Sequence, residues 1–256
     1  MIDPRAVINT KAELAEDVKV GPFSIIGPDV HIEAGTEIGP HVVIKGPTSI
    51  GKDNVIYQFT SIGEDPQDKK YADEITRLEI GSRNVIREFC TMHRGTLQDQ
   101  GVTKIGDDNL FMAYTHVAHD CEIGDHVIMA NGASIAGHVH VGDHAILGGF
   151  TLVHQFTQIG EFSFSAMGSA ITQDIPPFVM VGGRPTRPHG INSVGMERNG
   201  KSPEVIRQIR QAYKILYKNN LRLEDAIEEM EGMAGESNEL SNMVSFLRNV
   251  TRGILR

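Results

Sequence analysis

The sequence predicts a mainly β fold, a parallel β-helix of hexapeptide repeats followed by a C-terminal α-helical domain. Three observations carry this expectation: a branched aliphatic residue recurs at every sixth position, glycine often follows it, and the period of six gives way to helical spacing near residue 190. Counting in sixes from Ile2 meets Ile8, Leu14, Val20, Ile26, Ile32, Ile38, Ile44, Ile50, Ile56 and Ile62 without a miss. An ordinary sheet alternates with period two, so a sustained period of six specifies very short strands joined by tight corners, each repeat burying one aliphatic side chain. Three repeats close one triangular coil. The period alone leaves the handedness of the winding open.

The phase is lost after Gly63, resumes at Ile80, Ile86 and Met92, then slips by one residue. It continues through Ile105, Phe111, Val117, Ile123, Met129, Ile135, Val141, Leu147, Val153 and Ile159, with polar Ser165 standing in the series before Ile171. Roughly nine coils at a strand spacing of about 4.8 Å make a prism on the order of 40 Å long. The two breaks, at about residues 63–79 and 93–104, are loop insertions. Insertions in a solenoid gather on its working face, which makes the stretch around Gln67, Asp68, Lys70 and Tyr71 a candidate for substrate contact.

The chain changes character near Asp174-Ile175-Pro176-Pro177, so the expected division is a β-helix over residues 1–190 and a helical domain over 191–256. Ser202 followed by Pro203 is an N-cap and first-turn pair. Ile206, Ile209, Tyr213 and Leu216 then form an apolar stripe at helical spacing. Two shorter helices follow, over about 223–233 and 238–252.

Among 256 residues, 40% hydrophobic, no apolar run reaches the length of a membrane span, and the first residues lack the basic and apolar regions of a signal peptide. The two cysteines, Cys90 and Cys121, lie far apart without metal-type spacing, the pattern of a reducing cytoplasm. A net charge of -9 argues against nucleic acid as a general partner. The charge is unevenly spread. Between Arg184 and Arg222 nine basic residues face two acids, a local surplus of seven that leaves -16 on the rest. Such a segment is either a solvated helix face or a docking surface for an acidic partner or phosphate.

Coil length points to a site. Residues 18 apart stack, so His119, Gly137 and Gln155 form one column and Asp120 and His138 the next, with His116 and His154 close by in sequence. The columns gather a candidate base, a carboxylate and a bare backbone position. Asp120 is suited to orient an imidazole for proton transfer. A solvated histidine cluster and a zinc site are the competing explanations, because the two-residue gap between His116 and His119 occurs among zinc ligands.

The repeats, the Gln67-Asp68-x-Lys70-Tyr71 loop, His93-Arg94-Gly95-Thr96, His116-Val117-Ala118-His119-Asp120-Cys121, Ala136-Gly137-His138, Val153-His154-Gln155-Phe156 and the ending Thr251-Arg252-Gly253-Ile254-Leu255-Arg256 together resemble the UDP-N-acetylglucosamine O-acyltransferases that open lipid A (lipopolysaccharide) biosynthesis. The resemblance covers the whole chain. It implies a left-handed β-helix, a cytoplasmic homotrimer with active sites between neighbouring prisms, and transfer of a (R)-3-hydroxyacyl group from acyl carrier protein to the 3-hydroxyl of UDP-N-acetylglucosamine. It implies His119 as general base, Asp120 as the group that orients it, and the Gly137 N–H as oxyanion donor, with no metal and no cofactor. Asp68, His116, His138 and Gln155 are implied as sugar contacts, Lys70 as a sugar or phosphate contact, and Gln67 and His154 as residues at the site edge.

The family's nucleotide-binding tail reads Asn-x-Glu-Gly followed by paired arginines. Here Val194 replaces the glutamate and Asn199 the second arginine, leaving Asn192 and Arg198 as the implied contacts. Met167 matches the position at the far end of the family's acyl groove and implies a chain of about ten carbons. Arg207, Arg210 and Lys214 of the basic segment are the expected docking residues for the acidic carrier protein. N-acylation of a 3-amino UDP-sugar, a zinc hydratase of the trimeric carbonic anhydrase type and a non-catalytic binding repeat stay open at this level.

Overall fold

A computed structural model describes residues 1–256 apart from Ala234 and Glu236. The repeats build three sheets of nine, eight and ten strands among the described residues, parallel with the strand order advancing by three, except that the ten-stranded sheet ends in Val179–Gly182 beside Phe164–Ser165 and then an antiparallel strand. Val7–Ile8 therefore pairs with Ile25–Ile26, one coil later, and that pair with Val43–Ile44. The coils wind left-handed. The usual right-handed preference belongs to long helical crossovers, whereas here a corner of a few residues joins consecutive strands.

The sixth-position aliphatics point inward. Ile26, Ile32, Ile44, Ile50, Ile56, Ile62, Ile86, Met92 and Phe111 are fully buried, each contributing about 1.5–3 kcal/mol of transfer free energy. Ser165 joins the series without breaking it, because its buried hydroxyl pairs with Thr151 Oγ1 at 2.9 Å and accepts from the Gly148 N–H at 3.2 Å.

The insertions account for the phase. Ile56 pairs with Ile86, so the first loop adds twelve residues to a coil of eighteen and preserves the count in sixes. Ile86 pairs with Phe111, so the second adds seven and shifts the count by one. Regular strands end at Glu64 and His93 and restart at Arg77 and Val102, which makes both loops slightly shorter than the sequence suggests.

Many corners are turned by non-glycine residues in the left-handed region, at a cost of about 1–2 kcal/mol each. Ring stacking offsets part of it. Phe23, His41, Phe59, Phe89 and Tyr114 climb one corner with centroids 4.8–5.3 Å apart, each pair being worth about 0.5–1.5 kcal/mol. A second corner is turned by Asp120, His138 and Phe156, with φ of 57°, 61° and 62°. His119 therefore sits just before a sharp bend, at the edge of the sheet face that carries His116 and Ser134.

The prism ends in an antiparallel pair, Val179–Gly182 with Arg187–Ile191. Helices follow: α1 Ser193–Arg198, α2 Pro203–Lys218, α3 Leu223–Glu231 and α4 Asn238–Arg248. Ser202 caps α2 as expected, accepting from the Val205 N–H at 3.3 Å, and Ile206, Ile209, Tyr213 and Leu216 are all buried on one face. The last two helices end earlier than the sequence suggests. Gly232 caps α3, and Asn249 stops α4 so that the chain can return and bridge Ile254 to Asp174 on the final coil. Among the described residues no helix is long and apolar enough to cross a membrane.

Candidate active site

The two columns expected from the coil length come together at the second corner. His119 Nδ1 lies 2.9 Å from Asp120 Oδ2, and the Asp120 side chain is 1% exposed. Its other hydrogen bonds come from one residue: the Thr96 N–H reaches Oδ1 at 2.8 Å and the Thr96 hydroxyl reaches Oδ2 at 2.6 Å, with His138 Nε2 standing 3.8 Å from Oδ2. Burial alone would raise the Asp120 carboxyl, but the hydrogen bonds from His119 and Thr96 hold it below the usual carboxylate range. An ionised Asp120 fixes the proton of neutral His119 on Nδ1 and leaves Nε2 with a free lone pair.

That nitrogen lies against Gly137. A Cβ built at Gly137 would stand 2.5 Å from His119 Cε1 and 2.7 Å from Nε2. Among the described residues the Gly137 N–H has no hydrogen-bond acceptor, so a donor stands free next to the base. Both line an open cleft of about 380 Å³ together with Gln67, His116, Ser134, Ala136, Leu152 and Gln155. Gln67, expected at the edge, is part of the wall.

His116 shares a 2.7 Å hydrogen bond with the Thr91 hydroxyl, and burial lowers its pKa to about 4, aided by repulsion from His93 and His119. It is a neutral imidazole near pH 7. His138 packs edge-on to His119 at 5.1 Å, stacks on Phe156, and is held by Asp99 at 2.9 Å from Nδ1. It stands behind the base and does not line the cleft.

Other expected contacts lie outside this cleft in the single chain. Asp68 forms a turn, accepting the Lys70 N–H at 2.9 Å, and Lys70 is exposed. His154 is exposed, with Nδ1 on the Gln155 carbonyl. Asn192 is buried. Its amide caps α1 by accepting from the Gly195 N–H and donates to the Phe162 carbonyl, so the side chain is already occupied. Arg198, Val194 and Asn199 sit exposed at α1, and Arg207, Arg210 and Lys214 occupy the exposed face of α2. Met167 is 77% exposed and does not pack between coils.

Sequence reasoning missed three residues of the site. Thr96 and Asp99 reach it from the second insertion, and buried His93 packs edge-on to His116. The insertion was the only signal for Asp99, while Thr96 and His93 stood in the His93-Arg94-Gly95-Thr96 motif without an assigned role. Both cysteines are free and buried, and burial pushes the Cys121 thiol up to about 12, so neither serves as a nucleophile.

His119, Asp120 and His138 could face a metal ion, their ligand atoms lying within 4.8 Å of one another. Asp120 Oδ2, however, already takes hydrogen bonds from Thr96 and His119. An imidazole–carboxylate pair beside a free backbone donor, on a prism of hexapeptide repeats, is the arrangement that acyl transfer with a general base requires, and it points to the repeat-type acyltransferases as a class.

The comparisons with known proteins narrow the class. Residues 174–255 match the family model for domain 2 of UDP-N-acetylglucosamine O-acyltransferase, and 11–46 and 103–137 match the bacterial transferase hexapeptide model. The chain is 55% identical to the acyl-[acyl-carrier-protein]–UDP-N-acetylglucosamine O-acyltransferase of Alkalilimnicola ehrlichii, and 56% to that of Halorhodospira halophila, covering 100% of this chain and 99% of each relative. The crystal structure of UDP-N-acetylglucosamine acyltransferase from Francisella novicida superposes with a TM-score of 0.98 at 40% identity, over 100% of this chain and 94% of the other. The chain belongs to the acyl-[acyl-carrier-protein]–UDP-N-acetylglucosamine O-acyltransferase family. A zinc hydratase or a non-catalytic repeat protein is not what these relatives are.

Proposed function

We propose that the protein transfers a (R)-3-hydroxyacyl group from acyl carrier protein to the 3-hydroxyl of UDP-N-acetylglucosamine, the opening acylation of lipid A biosynthesis. The carrying observation is the 2.9 Å bond from His119 Nδ1 to Asp120, which leaves Nε2 against Gly137. Nε2 takes the proton of the sugar hydroxyl as its oxygen attacks the thioester carbon. The carbonyl oxygen becomes an oxyanion, stabilised by the Gly137 N–H, and Asp120 stabilises the imidazolium. Collapse breaks the carbon–sulfur bond, and the imidazolium returns its proton to the departing thiolate.

Gln67, His116 and Gln155, which line the cleft, are assigned to hold the sugar, and His138, packed on His119, to set the ring of the base. Asp68, Lys70, His154, Asn192 and Arg198 are assigned to the sugar and nucleotide ends, and Arg207, Arg210 and Lys214 to the carrier protein. The working unit is a homotrimer in the cytoplasm. Supporting this, the sheet face that carries the cleft also exposes Val7, Ile25 and Leu152, and the adjoining corner exposes Phe23, Phe59, Phe89, Tyr114 and Phe150. A second copy seated there would cover the open side of the cleft. The decisive experiment offers the purified protein UDP-N-acetylglucosamine, its 3-amino analogue and a ladder of 3-hydroxyacyl carrier proteins, with mass-spectrometric detection. Product from the 3-amino sugar alone would overturn the assignment of the acceptor.

A further inference from the structure

The stretch Arg94-Gly95-Thr96 follows the strand Thr91–His93 and joins two parts of the site that are far apart in sequence. The Arg94 residue is 7% exposed. Its Nη1 donates to the Gly46 carbonyl at 2.7 Å and the Gly63 carbonyl at 3.1 Å, and its Nη2 to the Asp65 carboxylate and, at 3.1 Å, to the Tyr71 hydroxyl. The last three acceptors bracket Gln67, which lines the cleft beside His119. One guanidinium thus ties both arms of the first loop to the prism.

Two residues on, Thr96 turns the other way. Its N–H and its hydroxyl take one Asp120 oxygen each, and its carbonyl accepts from the Gly101 N–H at 3.0 Å, closing the loop from which Asp99 reaches His138. Between them Gly95 leaves no room for a side chain, since a Cβ there would stand 2.2 Å from the Val102 nitrogen.

We propose that Arg94 and Thr96 are positioning residues for the transfer. Arg94 holds the loop that presents Gln67 to the acceptor sugar, and Thr96 orients the Asp120 carboxylate so that Oδ2 meets His119 Nδ1. Neither touches the reacting atoms. The proposal rests on the acyl-transfer function given above. Lysine cannot replace Arg94, because a single ammonium does not span four acceptors with the planar fork of a guanidinium. Valine at 96 keeps the backbone donor and the side-chain shape but removes the hydroxyl. That strips one donor from a buried carboxylate and frees Oδ2 to turn from His119.

The test compares Arg94→Lys, Thr96→Val and Thr96→Ser with the parent, all full-length and at a temperature well below each variant's unfolding. The readouts are kcat, the KM of each substrate, calorimetric binding of UDP-N-acetylglucosamine, and proteolysis of the first loop. Arg94→Lys is expected to raise the sugar KM and Kd about tenfold or more and to speed loop cleavage, with kcat and the carrier-protein KM within about threefold of the parent. Thr96→Val is expected to lower kcat about 10- to 100-fold, the effect of one hydrogen bond to a charged group. Its sugar KM should hold, and Thr96→Ser should restore kcat. Variants that melt earlier but keep the parent's kcat and both KM values would show a purely structural role and overturn the proposal. If the parent itself makes no product with UDP-N-acetylglucosamine, the assigned reaction fails, while binding and loop cleavage still decide the role of Arg94.

Discussion

Gly137 and His119 are one coil apart and in contact: a methyl group on Gly137 would stand 2.7 Å from His119 Nε2. Real Cβ atoms do not approach so closely, so Gly137→Ala must displace the imidazole or the corner that carries it. Ring displacement spoils the base, and the methyl group also obstructs the free N–H. We expect a loss in kcat of at least about 100-fold, the range found when an oxyanion donor is removed. Steady-state kinetics and circular dichroism check this. Parent-like kcat with an intact fold would show that the ring needs no bare position beside it.

His119→Ala is expected to lower turnover roughly 100-fold or more without changing the assembly, the scale of general-base loss. Asp120→Ala should lie between that variant and the parent, since without the carboxylate a neutral imidazole still holds its proton on Nδ1 part of the time and can then accept on Nε2. Rates and size-exclusion profiles of both variants give the order. An Asp120 variant slower than the His119 variant would reverse the assigned roles.

The fold was legible because a buried interior imposes its period on the chain, and the columns of His119 with Gly137 and Asp120 with His138 followed from the eighteen-residue coil. The second insertion showed in the sequence as a one-residue slip of phase, and the strand pairing makes it seven residues. Asp99 escaped notice, and Thr96 was part of a recognisable motif but received no role, because a loop has no period and their bonds to His138 and Asp120 depend on the chain folding back across a coil. Asn192 carries a structural role that the motif did not show: in the folded chain its amide caps α1 and donates to the Phe162 carbonyl.

His116 sets a pH dependence of stability. Its folded pKa of about 4 lies below the unfolded value of about 6.5, so between these limits the unfolded chain binds more protons and acid favours unfolding. The stability is fully present above pH 6.5 and is lost as pH falls towards 4, on the order of 3 kcal/mol in all. Urea unfolding of His116→Gln should therefore show a flatter profile across this window than the parent. Identical slopes would mean that His116 is no harder to protonate in the fold than outside it. His93, lowered in the same direction by burial, keeps the variant's profile from becoming level.

The exposed face of α2 offers a test of carrier-protein docking. Arg207 pairs with Glu204 on the same helix, so part of its charge is already neutralised, while Arg210 and Lys214 have no salt-bridge partner among the described residues. Reversing Arg210 and Lys214 to glutamate should raise the carrier-protein KM and weaken its dependence on salt, with the sugar KM little changed. Arg207→Glu alone should do less. An unchanged carrier-protein KM in the double variant would reduce the basic segment to a solvated face.

Met167 is expected to set the acyl length. Its side chain stands 77% exposed on a single chain, next to Gly168, whose φ of 70° marks the corner one coil above Phe150. An exposed thioether on a corner otherwise lined by aromatic rings is available to a groove completed by a neighbouring copy. There it would occupy the length of roughly four methylenes, and forcing a longer chain past it would cost about 1–3 kcal/mol in overpacking. Methylenes without room also fail to collect their transfer free energy of about 0.8 kcal/mol each. The donor preference should therefore centre on about ten carbons and discriminate against fourteen. Met167→Gly is expected to move the optimum to longer 3-hydroxyacyl chains while leaving the sugar KM alone, read from kcat/KM across a donor ladder. An unchanged length profile in that variant would place the end of the groove elsewhere.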